Sequence, residues 1–291
     1  MTELALAIDI GGTKVATGVV TADGELIDRR QEPNVGESAE ALYAQVLRLA
    51  RAAADTLDTA PLVCGIGCGG PAREHHRLLS PLNIPVWRDF PLGERLAGDL
   101  GLPTFVDNDA KALALAEGWR GAARGVQNYI GMVVSTGVGG GIVLNGELLE
   151  GADGNAGHIG HVFVEPDGHP DAIGAMGLLE GSASGTGIAR ATGRPAAEAD
   201  QAMRRRVGVW VGRAVASVAN LLDLQLAVVA GSVALGYGDD FFDAAQETID
   251  ELCLIQHARG TRIVPAGLGD EAPLVGAAAV GWRGLGRDFL R

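Results

Sequence analysis

The feature that most restricts the fold is a unit of strand, glycine turn, strand, hairpin turn and strand that occurs twice. Near the start, LALAIDI from Leu4 runs through Gly11-Gly12-Thr13 into KVATGVV, and then through Ala22-Asp23-Gly24 into ELIDRR. Later, NYIGMVVST from Asn128 runs through a GVGGG turn into IVLNGELLEG, with Asn145-Gly146 as a hairpin signal. The closing segments ADGELI and LNGELL lie about 120 residues apart, an internal echo of one supersecondary unit. Two copies of a meander-plus-helices unit imply two α/β halves facing each other across a cleft.

The rest of the chain fits that frame. Apolar positions at Leu42, Val46, Leu49, Ala53 and Leu57 have helical spacing, as do Met203, Val207, Val211, Val215, Val218 and Leu222. Further helices are expected over 91–100, 110–119, 241–252 and 273–285. Short apolar runs at 62–67, 103–106, 226–230 and 262–265 read as strands. Helices alternating with strands argue for an α/β protein with mixed sheets. Residues 151–187 read as a loop-rich insert.

Composition narrows the function. The chain has 44 glycines in 291 residues, about twice the usual share of about 7%. They cluster between apolar runs, where they allow close backbone approach. A net charge of −13, with Lys14 and Lys111 the only lysines, disfavours nucleic acid and anionic membranes as partners. Cys64, Cys68 and Cys253 form neither a disulfide framework nor a zinc site, and read as buried core residues. The N-terminal segment lacks the pattern of a signal peptide or membrane span, so a cytoplasmic location is expected.

Three motifs carry candidate chemistry. Asp9-Ile10-Gly11-Gly12-Thr13-Lys14 places a carboxylate at the end of a buried strand, before two glycines and a hydroxyl. A strand continues after it, so it is not a P-loop. The turn could offer N–H groups and the Thr13 hydroxyl to phosphates, with Asp9 available to Mg²⁺ through water; an ordinary Gly-Gly hairpin is the alternative. Ser135-Thr136-Gly137-Val138-Gly139 is the matching turn in the second unit. Asn108-Asp109 follows the strand PTFV and opens a helix, either as an N-cap or as a carboxylate that takes a proton from a substrate hydroxyl. Gly65-Ile-Gly67-Cys-Gly-Gly70 fits a dinucleotide fingerprint, but Pro71 and the polar AREHHR follow where the helix should begin.

DIGGTK, VDNDA and VSTGVGGGIVLNGELLEGADGNAGHIGH together resemble the ROK family of sugar kinases and related repressors, and the similarity extends from Leu4 to PLVGAAAVGW. The resemblance implies a two-lobed actin-like (ribonuclease H-like) ATPase fold with the ligand cleft between lobes. The smaller lobe is expected over 1–119 and 277–291, and the larger over 120–276. It implies MgATP-dependent phosphorylation of a sugar at carbon 6, with Asp109 as catalytic base. Gly70, Asn83, Asn108, His158, His161 and Glu180 would join Asp109 in holding the sugar. Asp9, Gly11, Gly12, Thr13, Lys14, Thr136, Gly137, Gly139, Gly231 and Ser232 would hold ATP, with Mg²⁺ at Asp9. A homodimer is expected, with small-molecule ligands only.

Two departures from the family pattern matter. The family's zinc segment, Cys-x-Cys-Gly-x-x-Gly-Cys-x-Glu, is replaced here by Asp171 to Glu180, with Asp171, Ile173 and Leu178 at the thiolate positions. Without soft ligands no structural zinc is expected, despite His161 and nearby His169, and apolar packing by Ile173 and Leu178 should hold the loop instead. The second is His158, where most of the family's glucokinases carry glutamate. A different donor and acceptor set there implies a substituent pattern near carbons 1 and 2 unlike glucose. The Gly-His-Ile-Gly-His motif is similar to that of the family's bacterial N-acetylmannosamine kinases, making N-acetylmannosamine the expected substrate. Glucose, N-acetylglucosamine or mannose is the alternative. A non-catalytic sugar-sensing regulator is the rival of another class, disfavoured by the acidic chain and by a first strand that begins without a preceding helix-turn-helix.

Overall fold

The structure is a computed structural model that describes residues 2–34, 36–57, 59–171, 173–287 and 289–290. The chain divides into two compact units: residues 1–120, 150–156 and 268–291 form unit 1, and 121–149 with 157–267 form unit 2.

Unit 1 opens with β1 (Leu4–Ile10), β2 (Lys14–Thr21) and β3 (Leu26–Pro33), an antiparallel meander. Helix α1 (Ala39–Ala54) follows, its first turn capped by the Ser38 side chain, which accepts from the Ala41 N–H. The buried strand β4 (Val63–Cys68) pairs parallel with β1. A short hairpin, β5 (Ala72–Arg73) and β6 (Leu78–Leu79), precedes α2 (Leu92–Leu100). Then β7 (Thr104–Asn108) joins β4 in parallel and passes directly into α3 (Asp109–Trp119). The sheet order is β3-β2-β1-β4-β7.

Unit 2 repeats this plan. β8 (Tyr129–Val134), β9 (Val138–Leu144) and β10 (Glu147–Leu148) form the second meander. The stretch read as loop-rich contains α4 (Leu179–Ala183) and the start of α5 (Gly185–Thr192). After the long α6 (Gln201–Leu222) come β11 (Leu226–Ala230), α7 (Ser232–Tyr237), α8 (Asp239–Leu252) and β12 (Arg262–Pro265). The order β10-β9-β8-β11-β12 matches the first sheet strand for strand, with the same two antiparallel and two parallel pairings. The duplication echoed in sequence is therefore a duplication of topology.

The chain returns to unit 1 as α9 (Ala272–Gly284), which lies against β4 and α3. The approach is close enough to require missing side chains. A Cβ on Gly65 would lie 1.9 Å from the Ala277 carbonyl oxygen, and one on Gly276 would lie 2.4 Å from that of Ala112. Those glycines explain the misleading dinucleotide-like spacing, because Gly65 serves helix packing rather than a pyrophosphate. Ala5, Ala7, Ala277, Ala278 and Trp282 fill this layer, while Leu6, Ile8, Ile10, Leu42, Val46 and Trp87 fill the other face of the sheet. All three cysteines are free and buried, as expected.

Unit boundaries differ from the expected ones because of specific contacts. Residues 150–156 join unit 1, where the Lys111 ammonium lies 2.6 Å from Glu150, 3.1 Å from Asp107 and 2.9 Å from the Gly154 carbonyl oxygen. The segment from 268 joins it as well, with the Leu268 N–H donating to Glu117. Lys111 is 1% exposed, so removing its charge would leave the buried Asp107 carboxylate without its ammonium partner, while Glu150 would keep Arg283 at 2.6 Å. Lys111→Met should lower unfolding free energy by about 3 kcal/mol or more, read by denaturant titration. A loss within experimental error would contradict this reading of the ion pair.

Candidate active site

Unit 1 contributes two carboxylates, at the ends of β1 and β7, which flank β4. Asp9 is the penultimate residue of β1, and Asp109 opens α3 directly after β7. Between β1 and β7 runs β4, whose end carries glycines. A Cβ on Gly67 would lie 3.7 Å from Asp9 Oδ1 and 3.8 Å from the Asp109 Cα, and one on Gly69 would lie 3.9 Å from Asp109 Oδ2. Gly67 and Gly69, bare of side chains, thus leave room beside the acids. The Ala110 N–H donates both to Asn108 Oδ1, at 3.0 Å, and to Asp109 Oδ1, at 2.9 Å. Asn108 is therefore an N-cap, and its side-chain amide nitrogen remains for a ligand.

The electrostatics follow from burial. Asp9 is pushed up to about 7, first by desolvation and then by the charge of Asp109, with Lys14 and Arg29 opposing. Asp109 is open to solvent, yet the surrounding protein still raises its pKa by desolvation, against the N–H bonds it accepts. A carboxylate pair under this strain accommodates a hard divalent cation, which takes oxygen ligands from one or two acids and the rest from water and phosphate. Asp9 therefore fits Mg²⁺.

The turn after β1 is fixed by a residue that sequence reasoning passed over. The Asn34 side chain donates to the Gly11 carbonyl oxygen at 2.9 Å, its backbone N–H donates to Thr13, and the Gly11 N–H donates to Lys14. Thr13 is left exposed. Gly12 sits directly on Asn83, where an added Cβ would be 2.8 Å from the Asn83 carbonyl oxygen. The Gly70 carbonyl oxygen accepts from the Leu82 N–H, tying that glycine to the same loop. Gly11, Gly12, Thr13, Lys14, Gly70, Asn83, Asn108 and the two acids are thus gathered within unit 1. Lys111 is not among them, since it turns into its buried ion pairs.

Unit 2 carries the second glycine turn. The Ser135 N–H donates to the Gly137 carbonyl oxygen, the Ser135 hydroxyl lies 3.0 Å from that of Ser232, and the Ser135 carbonyl oxygen accepts from the Gly185 N–H. Gly231 has φ of +103° and lies so close to Val134 that only glycine fits. A cavity of about 510 Å³ opens here, lined by Ser135, Thr136, Thr186, Ala196, Ser232 and Tyr237 among others. Thr186 in α5 and Tyr237 at the end of α7 were not singled out in the sequence. Gly139 lies within the strand ladder opposite Val133, not in the turn. Glu180 Oε2 accepts from the Val138 N–H at 3.1 Å, so this carboxylate supports the turn as well as having a second oxygen to offer.

His158 and His161 flank a short 3₁₀ turn, with ring centroids 6.0 Å apart and edge-on. The zinc-segment positions behave differently from expectation. Ile173 is 69% exposed, so it does not pack the loop. Leu178 is half-buried and bridges to Phe163. Polar contacts hold the loop instead, because Asp171 Oδ1 accepts from the N–H groups of Ile173 and Ala175 at 2.9 Å each. A short connection needs its backbone groups satisfied, and an aspartate does this where an isoleucine cannot.

The ROK family model matches residues 5–282. This chain belongs to the ROK family. It is 38% identical over 250 residues to an N-acetylmannosamine kinase from Escherichia fergusonii, covering 80% of this chain and 84% of the relative. It is 32% identical over 319 aligned positions to a glucokinase from Halalkalibacterium halodurans, covering 95% and 93%. The solved structure of a ROK glucokinase from Streptomyces griseus, in complex with glucose and AMPPNP, superposes with a TM-score of 0.81 at 28% identity, covering 96% of this chain and 99% of the other. The α/β architecture with mixed sheets is accordingly the actin-like ATPase fold of ROK hexokinases. No helix among the described residues is long and apolar enough to cross a membrane.

Because folded Asp9 retains a proton that an ordinary carboxyl at 3.8 releases, its contribution to native stability falls as pH rises from 3.8 to about 7. Asp9→Asn should therefore gain melting temperature over the wild type progressively across that window, without ligands, and hold the gain above it. A difference independent of pH would contradict the burial of an unfavourable charge.

Proposed function

We propose that this ROK family chain is an ATP-dependent sugar kinase that phosphorylates the carbon-6 hydroxyl of an N-acylhexosamine, with N-acetylmannosamine as its substrate. The observation that carries the reading is Asp109, a solvent-accessible carboxylate with raised pKa, beside the side-chain-free positions Gly67 and Gly69. A base of raised pKa takes a proton more readily from a hydroxyl as its oxygen attacks phosphorus. Kinship with kinases of N-acetylmannosamine and glucose supports the reaction class.

In this reading Asn108, Asn83, the Gly70 backbone, His158, His161 and Glu180 orient the sugar so that its carbon-6 oxygen meets Asp109. Gly11, Gly12, Thr13 and Lys14 receive phosphate oxygens, as do Thr136 and Gly137, with Gly139 keeping the strand beside that turn free of side chains. The unit 2 cavity beside Gly231 and Ser232 takes the adenosine. Mg²⁺ at Asp9 would neutralise phosphate charge, which an acidic chain with few cations supplies poorly. Excluding water while these groups align the reactants favours transfer to sugar over hydrolysis. A cytoplasmic homodimer is part of the same proposal. His158 favours N-acetylmannosamine over glucose, since an imidazole replaces an acceptor-only carboxylate near the distinguishing substituent.

The test is coupled ADP release with N-acetylmannosamine, glucose, N-acetylglucosamine and mannose. N-acetylmannosamine should give the highest kcat/KM, and glucose as the sole good substrate would overturn the role of His158. Asp109→Asn should lower kcat by about 100- to 10,000-fold while calorimetric sugar binding persists. No ADP release with any hexose would defeat the kinase reading.

A further inference from the structure

The family pattern implies a structural zinc beside His161, and the residues here do not fit one. The three thiolate positions are Asp171, Ile173 and Leu178, and among the described residues no three His, Cys, Asp or Glu side chains converge on a common point. Asp171 nonetheless faces the histidine. Its side chain is 1% exposed, and its Oδ2 lies 3.7 Å from His161 Nε2. That oxygen is buried and has no hydrogen-bond partner among the described residues, while Oδ1 is fully used by the Ile173 and Ala175 N–H groups. A buried acceptor without a donor is costly, and the imidazole is the donor within reach of a small ring rotation.

We propose that the Asp171 carboxylate occupies the metal's role as the support of His161 and thereby reverses the hydrogen-bonding sense of that ring toward the substrate. A metal takes a lone pair from one ring nitrogen, so the proton resides on the other, which then donates. A carboxylate instead takes the N–H, so in the neutral ring the other nitrogen keeps its lone pair and accepts. With Asp171 on Nε2, His161 presents Nδ1 as an acceptor. The ring is 39% exposed and can offer that nitrogen to a ligand. An acceptor suits a substrate group that donates, a hydroxyl or the N–H of an acylamino substituent. This specificity step rests on the sugar-kinase reading above; the tautomer itself does not.

Asp171 is a positioning residue, and its test reads the proton directly. The full chain, labelled with ¹⁵N-histidine, would be examined by NMR at alkaline pH, where the ring is neutral, with the His161 signals assigned through His161→Gln. The wild type should show the Nε2–H tautomer. In Asp171→Asn the amide oxygen can keep the Ile173 and Ala175 N–H groups, which turns its NH₂ toward Nε2 and should switch His161 to the Nδ1–H tautomer, as a donor opposite a nitrogen demands. An Nδ1–H tautomer in the wild type would overturn the proposal even if the variant failed to fold, and so would an unchanged tautomer in a folded variant. In the kinase assay the same variant should raise the sugar KM roughly tenfold and leave the ATP KM unchanged. An unmoved sugar KM would overturn the specificity step. Absence of activity toward every sugar would instead defeat the functional reading, with the NMR result standing apart from it.

Discussion

The position of α3 depends on how closely α9 packs within unit 1. Gly65 and Gly276 remove the side chains that would hold α9 away from β4 and α3, and Ala277 and Ala278 continue the small-residue layer. Because α3 begins at Asp109 directly out of β7, any displacement of the helix displaces its first carboxylate. The Lys111 ion pairs act two residues further along, fastening the same helix to 150–156. Close backbone packing on one side and a buried charge on the other locate a residue that carries chemistry only if placed to within a fraction of an ångström.

Much of this was legible in the sequence because it is written in local terms. Alternating apolar residues and glycine turns specify the meanders, and their recurrence specifies that the two sheets share one topology. DIGGTK and VDNDA mark the acids because strand ends are where those carboxylates can face a ligand. What escaped was non-local. Asn34 acts on the first glycine turn across 23 residues, and no motif announces it. Nothing in the sequence around Lys111 announces its ion pairs, because its partners Glu150 and Gly154 lie about 40 residues away, around the start of the stretch that read as loop-rich. Gly65 matched a nucleotide fingerprint, while its actual constraint comes from a helix at the far end of the chain.

The zinc segment shows the same limit in chemical form. Composition was enough to doubt a metal bound by aspartate, isoleucine and leucine, but apolar replacement was the wrong inference about what holds the loop. Ile173 is exposed, and Asp171 satisfies the loop's N–H groups while its second oxygen faces His161. Polar satisfaction, which depends on where backbone donors point, is not readable from residue type.

The central claim is that Asp109 serves a phosphoryl transfer to a sugar's carbon-6 oxygen. The most direct measurement is ³¹P and ¹H NMR of the product formed from MgATP and N-acetylmannosamine. The account predicts a phosphomonoester signal coupled to the two carbon-6 protons, growing in step with ADP. A phosphorus signal coupled to the anomeric proton, or phosphate released with no sugar ester formed, would contradict it.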